Sequence, residues 1–433
     1  LSMDAIGDDM SCLMQTILDH VPPPEVDKEA PLQMQISALD YSSYVGVIGL
    51  GRIARGTVKK GQQVTLVSRE GKERKGKILQ VMGYQGLERI EVETASAGDI
   101  VCITGIEALQ ISDTICDPTC VEALPPLEVD EPTISMTFQV NTSPFAGLDG
   151  KFVTSRNIRE RLDRELIHNV ALRVEDTDSA DRFKVSGRGE LHLAILIENM
   201  RREGFELAVG RPEVIFREVE GRQQEPFENV LLDVEEAHQG AVMEDLGKRK
   251  GVLSNLLPDG KGRIRIEYEI PTRALIGFRS DFLTMTSGTG IMTSIFSRYG
   301  DVVSKEIGTR TNGVLVSMVT GKCLAFALFN LQARGRMFID PNQQIYEGQV
   351  VGLHSRGNDL VVNPLKGKQL TNIRASGTDE SIILNSPIRH TLEQAIEFID
   401  DDELVEVTPG SIRIRKKLLT ENERKRAGRE KVA

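Results

Sequence analysis

The spacing of hydrophobic and polar positions changes character from segment to segment. In Asp8–His20 the apolar residues Met10, Leu13, Met14, Ile17 and Leu18 recur at helical spacing, and the pattern stops at Pro22-Pro23-Pro24. It predicts an amphipathic helix whose stripe needs a partner, so a chain truncated at its N-terminus is expected, with residues 1–28 as remnant helix and linker. Beyond the prolines, Leu32, Met34, Ile36 and Ala38 alternate with polar residues, the period of a half-buried strand. Short apolar runs follow at Val45–Ile53, Val64–Val67, Lys77–Met82, Ile90–Val92 and Ile100–Ile103, separated by glycines. This spacing predicts a small antiparallel barrel over residues 29–127.

From Glu131 strands alternate with helices. Ile134–Val140 reads as strand, Ser155–His168 as a helix with Ile158, Leu162 and Leu166 on one face and Glu160–Arg164 as an i, i+4 pair. Leu172–Glu175 and Phe183–Val185 read as strands, Glu190–Arg202 as helix, and Phe205–Val209 as the last strand. The order is βαββαβ, a ferredoxin-like unit over 131–220. A similar order recurs over 226–304: strand Glu228–Val234, helix Gln239–Gly251, strands Val252–Leu256 and Arg263–Ile270, helix Ala274–Met285, strand Ile291–Tyr299. Residues 305–433 read as mostly β, with one amphipathic helix at Thr391–Ile399 and a basic end, from Ser411, expected to fray. The fold class is therefore multidomain α+β.

Composition adds to this. The formal net charge is −11, but from Lys305 onward 19 Lys/Arg stand against 16 Asp/Glu, and the first 304 residues hold 34 against 48. The last quarter is the basic part. No apolar run approaches the roughly 20 residues needed to cross a bilayer, and a cytoplasmic protein without membrane contact, monomeric, is expected. The cysteines, Cys12, Cys102, Cys116, Cys120 and Cys323, form no C-x-x-C pair and read as reduced thiols rather than metal ligands.

Nucleotide hydrolysis needs a glycine-rich loop ending in Gly-Lys-Ser/Thr. Gly147–Lys151 and Asp259–Gly262 lack the spacing and the hydroxyl, and Ser287–Gly290 lacks the lysine, so all three read as turns. At Ser186–Leu193 the glycines suit a tight strand-to-helix turn. Its N–H groups could hold an anion; alternatively, Gly187 and Gly189 serve only the turn, Glu190 complements the helix dipole and His192 packs locally. The carboxylates Asp400-Asp401-Asp402-Glu403 could form an unrecognised site, but read better as capping or solvating the end of a helix.

Three motifs carry a resemblance. Gly187–Leu193, GRGELHL, resembles the third domain of elongation factor G; Gly51–Gln62, GRIARGTVKKGQ, resembles the second-domain barrel of translation factors; and Val234–Gly240 with Leu246–Gly251 resembles the fifth domain of elongation factor G. Past Lys305, Asp359–Pro364, Leu370–Glu380 and Thr391–Pro409 resemble the C-terminal domain peculiar to the TypA, or BipA, family of translational GTPases. The resemblance implies a translation-factor barrel, two ferredoxin-like domains and a mostly β TypA-specific domain. It further implies a GTPase domain preceding residue 1 and absent here. The chain itself is thus expected to be no enzyme and to hold no cofactor, GTP and magnesium belonging to the absent domain. The family implies docking at the ribosomal A-site region, contact with ribosomal RNA and a possible contact with transfer RNA, and links to large-subunit assembly and to stress or cold adaptation.

The residues expected to touch RNA lie in two basic segments. Between Ser355 and Ala375 stand Arg356, Lys366, Lys368 and Arg374 against the single acid Asp359, and a basic loop can track phosphates without reading bases. The second segment holds Arg413, Arg415, Lys416 and Lys417, with alternation that puts both arginines on one strand face. The competing reading is a protein-binding scaffold that makes no RNA contact, suggested by the overall acidity.

Overall fold

The computed structural model describes residues 10–22, 25–42, 44–107, 109–127, 131–303, 310, 312–367 and 383–430. It divides into two compact units, residues 1–129 with 167–170, and residues 130–166 with 171–433.

In the first unit the expected helix forms over Ser11–His20, and Met10, Leu13, Met14, Ile17 and Leu18 on its apolar stripe are exposed. Eight antiparallel strands follow in one sheet, ordered Glu73–Lys77, Gln63–Val67, Thr114–Cys116, Gln33–Ser42, Gly46–Arg55, Ile100–Thr104, Gln80–Gln85 and Glu88–Val92. The sheet curls around one core in which Met34, Ile36, Ile53, Leu66, Val81 and Ile103 are buried. Two glycines of the GRIARGTVKKGQ motif are required by the backbone. A Cβ on Gly51 would lie 2.1 Å from the Gln35 carbonyl oxygen on the paired strand, and Gly56 sits at φ +77° with the Ala30 carbonyl oxygen 2.5 Å from where its Cβ would be.

In the second unit the βαββαβ order is realised. Strands Arg173–Asp176, Arg182–Gly187, Ile134–Gln139 and Leu207–Val209 lie side by side, under helices Ser155–His168 and Glu190–Arg202. Ile158 and Leu162 face the core as their spacing predicts. Glu160 pairs with Arg156 rather than Arg164, whose Nε reaches the Glu160 carbonyl. The sheet does not stop at Leu207–Val209. Strands Glu403–Val407 and Ile412–Lys416 extend it across the boundary expected at residue 305, and one hydrophobic core joins Met136, Phe138 and Leu196 to Val314, Ile396 and Val405. The end expected to fray from Ser411 is therefore a sheet strand, followed by helix Glu421–Glu430.

A second sheet orders Ile291–Asp301, Arg222–Glu235, Arg263–Pro271 and Val252–Pro258, with Arg217–Val219 on the far side of Arg222–Glu235. The helix expected over Ala274–Met285 is broken in two, Thr272–Leu275 and Phe278–Met285, because Gly277 takes φ +75° between them. A smaller sheet orders Gly335–Met337, Val350–His354, Val314–Ser317 and Leu360–Val362, the last pair parallel. Helix Leu392–Phe398 starts where its sequence directs. Thr391 Oγ1 accepts from Gln394 N at 3.3 Å, and the Gln394 side chain accepts from Thr391 N at 3.0 Å, a reciprocal cap.

Candidate nucleic-acid interface

The two basic segments are joined at Lys416. Strand Ile412–Lys416 alternates, so Ile414 enters the core while Arg413 and Arg415 share the opposite face, as their spacing predicts. Lys416, 2% exposed, reaches out to the loop: its Nζ lies 2.5 Å from Asp359 Oδ2, 2.9 Å from Asp402 Oδ2 and 3.0 Å from Glu403 Oε1. Burial pushes the ammonium pKa down, but Glu403, Asp359 and Asp402 outweigh it and carry it up to about 12. Burial likewise pushes the Asp359 carboxyl up, and Lys416 together with the Val314 N–H, 2.9 Å away, holds it below the ordinary carboxylate range. Glu403 is fully buried and is also held by Arg310, whose two Nη groups donate to its two oxygens at 2.9 Å.

This geometry divides the expected RNA-contact residues. Arg356 and Lys366 are exposed on either side of strand Leu360–Val362, so the expected loop after His354 is two short loops around a strand, and the Arg356 carbonyl accepts from Gly313 N at 2.8 Å, fixing the base of the first. Lys417 is exposed, its backbone N–H bonded to the Asp402 carbonyl. Arg413 is turned inward: it bonds Glu406 at 3.0 Å and lies over the Phe145 ring. Arg415 is 1% exposed, donating to Thr142 Oγ1 and the Lys416 carbonyl. Arg413, Arg415 and Lys416 are thus corrected from candidate contacts along an open backbone to internal groups: carboxylates hold Arg413 and Lys416, and Arg415 is buried against Thr142 and the Lys416 carbonyl. Lys368 and Arg374, and the Leu370–Glu380 motif, lie outside the described residues.

The acidic run follows the end of helix Leu392–Phe398, with Asp401 and Asp402 largely exposed as a solvating run would be, but its carboxylates also carry ion pairs. Asp400 and Asp401 bind Arg211, Asp402 binds Lys416, and Glu403 binds Arg310 and Lys416, so these carboxylates are ion-pair partners rather than a catalytic set. The signal that could have found this is an acidic run followed within about a strand's length by Arg-Ile-Arg-Lys alternation, since antiparallel neighbours pair across.

The glycine loops are turns, and one has its own anion. Gly147 N and Gly150 N donate at 3.0 and 3.1 Å to the fully buried Glu206 carboxylate, which also accepts from Asn141 Nδ2 at 2.7 Å. At Asp259–Gly262 the Asp259 side chain takes the N–H groups of Lys261 and Arg263. At Gly187–Leu193, the Arg188 N–H donates to His192 Nδ1 at 3.3 Å and is not open to a phosphate. These loops do not fit a nucleotide triphosphate. Glu190 stands in the first turn of its helix, as expected, but its carboxyl faces Glu397 and Glu228, and burial followed by those two charges pushes it up to about 8.

Three family models match: the elongation factor Tu domain 2 over residues 46–116, the elongation factor G C-terminus over 222–309, and the TypA/BipA C-terminal domain over 312–421. The chain is 66% identical over 429 residues to the large ribosomal subunit assembly factor BipA of Escherichia coli K12, covering 99% of this chain and 71% of that protein. The protein of the same description in Haemophilus influenzae is 64% identical, covering 99% and 70%, and that of Buchnera aphidicola 58%, covering 97% and 69%. These matches overturn the expectation that the chain is no enzyme because a GTPase domain is absent. Identity of 66% across 99% of the chain puts it with those relatives as a protein of their kind, and the residue at which this sequence starts excludes no activity.

Proposed function

The chain belongs to the TypA/BipA family of translational GTPases, and from that premise we propose that its loop after His354 contacts ribosomal RNA during large-subunit assembly, docking in the A-site region. One observation supports this reading above the others. Between Ser355 and Gly367 the single acid, Asp359, is consumed from within by Lys416 and Val314 N, while Arg356 and Lys366 point to solvent. The loop's outward charge is therefore positive although the whole chain carries −11. Its base is fixed by a buried ion pair, which lowers the ordering cost of binding. Contacts of this kind track phosphates and carry no base information, as a shape-recognising ribosome factor requires. A cytoplasmic setting and a transfer RNA contact at the same loop belong to this proposal.

Cosedimentation of the chain with ribosomes across a salt series tests it. Arg356→Glu with Lys366→Glu is expected to weaken association, to reduce the salt slope by about 2, one per lost phosphate contact, and to leave the thermal midpoint unchanged. Association that is indifferent to salt, or equal in the variant, would instead favour a scaffold that binds protein only.

A further inference from the structure

We propose that the polar face of the sheet running from Arg173–Asp176 to Ile412–Lys416 carries a pocket for a phosphate group, formed by Arg182, Arg211, Arg415 and Lys417. The cavity holds about 160 Å³, and Gln139 and Thr142 line it with these cations. Small-molecule sites usually exceed roughly 300 Å³, so this one takes an anion of phosphate size and excludes a nucleoside.

Strand register shows how the pocket arises. Met136 and Phe138 enter the core, so Thr137 and Gln139 face the other way, and Gln139 pairs with Arg182. On the adjoining strands Arg413 pairs with Glu406, but Arg415 pairs with Leu404. Arg413 thus has a carboxylate across the sheet and Arg415 does not. Between Thr137 and Leu404 stands Gly210, where a Cβ would lie 3.5 Å from Thr137 Cβ, so the middle strand adds no side chain to the lining at that point.

The charges in the pocket are unequally matched. Arg211 binds Asp400 and Asp401, which neutralises Asp401 at the rim; Glu213 is the other carboxylate lining the cavity. No carboxylate pairs with Arg182, Arg415 or Lys417 among the described residues. Arg415 is 1% exposed, and its Nε has no hydrogen-bond partner. Glu406, the carboxylate that acts on it electrostatically, has its oxygens occupied by Asn141, Ser143, Arg413 and Tyr346. Burial pulls the Arg415 guanidinium below its ordinary pKa, the direction expected of a buried cation short of a counter-ion. A phosphate oxygen supplies that counter-ion, with the guanidinium fork, the Lys417 ammonium and the Thr142 hydroxyl as its donors. The inference goes beyond the proposed loop contact and does not depend on it: the ligand is a phosphate group, free or within a nucleic-acid backbone, and neither Arg356 nor Lys366 lines the pocket.

Titration of the whole chain with inorganic phosphate at constant ionic strength, followed by ³¹P NMR and calorimetry, tests the site. The wild-type chain is expected to bind saturably. Arg182→Ser with Lys417→Ser, both exposed and outside the core, is expected to raise Kd at least tenfold while the chain stays folded, and Arg415→Met is expected to abolish binding. Arg356→Glu with Lys366→Glu is expected to bind phosphate as wild type does, which separates this site from the loop. A short oligouridylate that competes with phosphate identifies a nucleic-acid backbone as the source; one that binds without competing, or does not bind, identifies free phosphate. Absence of saturable phosphate binding in the wild-type chain, or equal Kd in the Arg182/Lys417 double variant, would overturn the inference.

Discussion

Replacing Lys416 by methionine separates an anchoring role from an RNA-contacting one. The substitution keeps the apolar stem and deletes an ammonium within 3.0 Å of Asp359, Asp402 and Glu403. Removing one partner of a buried ion pair costs about 3–5 kcal/mol when the other is left unpaired. Here the lower end applies. Glu403 keeps both bonds from Arg310, the Asp402 side chain is 57% exposed and regains water, and Asp359 keeps the Val314 N–H. The rise in the Lys416 pKa from 10.5 to about 12 corresponds to about 2 kcal/mol, the same order. Because the folded pKa is raised, this stability is fully present below pH 10.5 and is lost as pH rises through about 12, so at neutral pH the whole effect is expressed. Thermal unfolding of Lys416→Met is expected to show a midpoint lower by roughly 6 °C or more. Ribosome association is expected to weaken less than in Arg356→Glu with Lys366→Glu, since no outward cation is removed. A variant that melts like wild type but loses association would refute the anchoring account and return Lys416 to the contact surface.

Two further outcomes follow from groups elsewhere in the second unit. Glu190 holds its proton to about pH 8 when folded and to about 4.5 when unfolded, so between those values stability falls as pH rises, by about 1.4 kcal/mol per pH unit; Glu190→Gln should flatten the dependence of the urea midpoint over pH 5–8, and an unchanged slope would show that Glu190 is ionised in the fold. Gly335→Ala would place a methyl 1.8 Å from the Leu353 carbonyl oxygen on the paired strand, and is expected to cost at least about 2 kcal/mol by chemical denaturation, whereas a near-neutral effect would mean that the Gly335–His354 pairing does not hold the strand edge.

What the sequence discloses and what it conceals have physical causes. The βαββαβ orders are legible because Ile158 and Leu162, or Met136 and Phe138, report their own periodicity within a few residues. The continuation of the first sheet is not. Strand Glu403–Val407 is buried at all five positions, including Glu403 and Glu406, and a strand with two inward glutamates reads as a surface strand. Its neighbour, Leu207–Val209, lies some 200 residues away, and no local pattern records that pairing.

The same non-locality governs the candidate interface. Counting cations treats Arg413, Arg415 and Lys416 as equal to Arg356, Lys366 and Lys417, because the acids that absorb Arg413 and Lys416, at Asp359, Asp402, Glu403 and Glu406, and the burial of Arg415 are set by other segments. Only after folding do the two groups separate into inward charge, of which Lys416 holds Asp359 at the loop base, and outward charge exposed to solvent. The distinction has a measurable size. Each phosphate neutralised contributes roughly 0.9 to the salt slope for a duplex. On the proposed reading, the outward cations Arg356, Lys366 and Lys417 would give a slope of about 3, not the value about twice as large that all six would give. The basic character of the last quarter is accordingly a structural resource first, and the smaller part that faces outward is what an RNA can use.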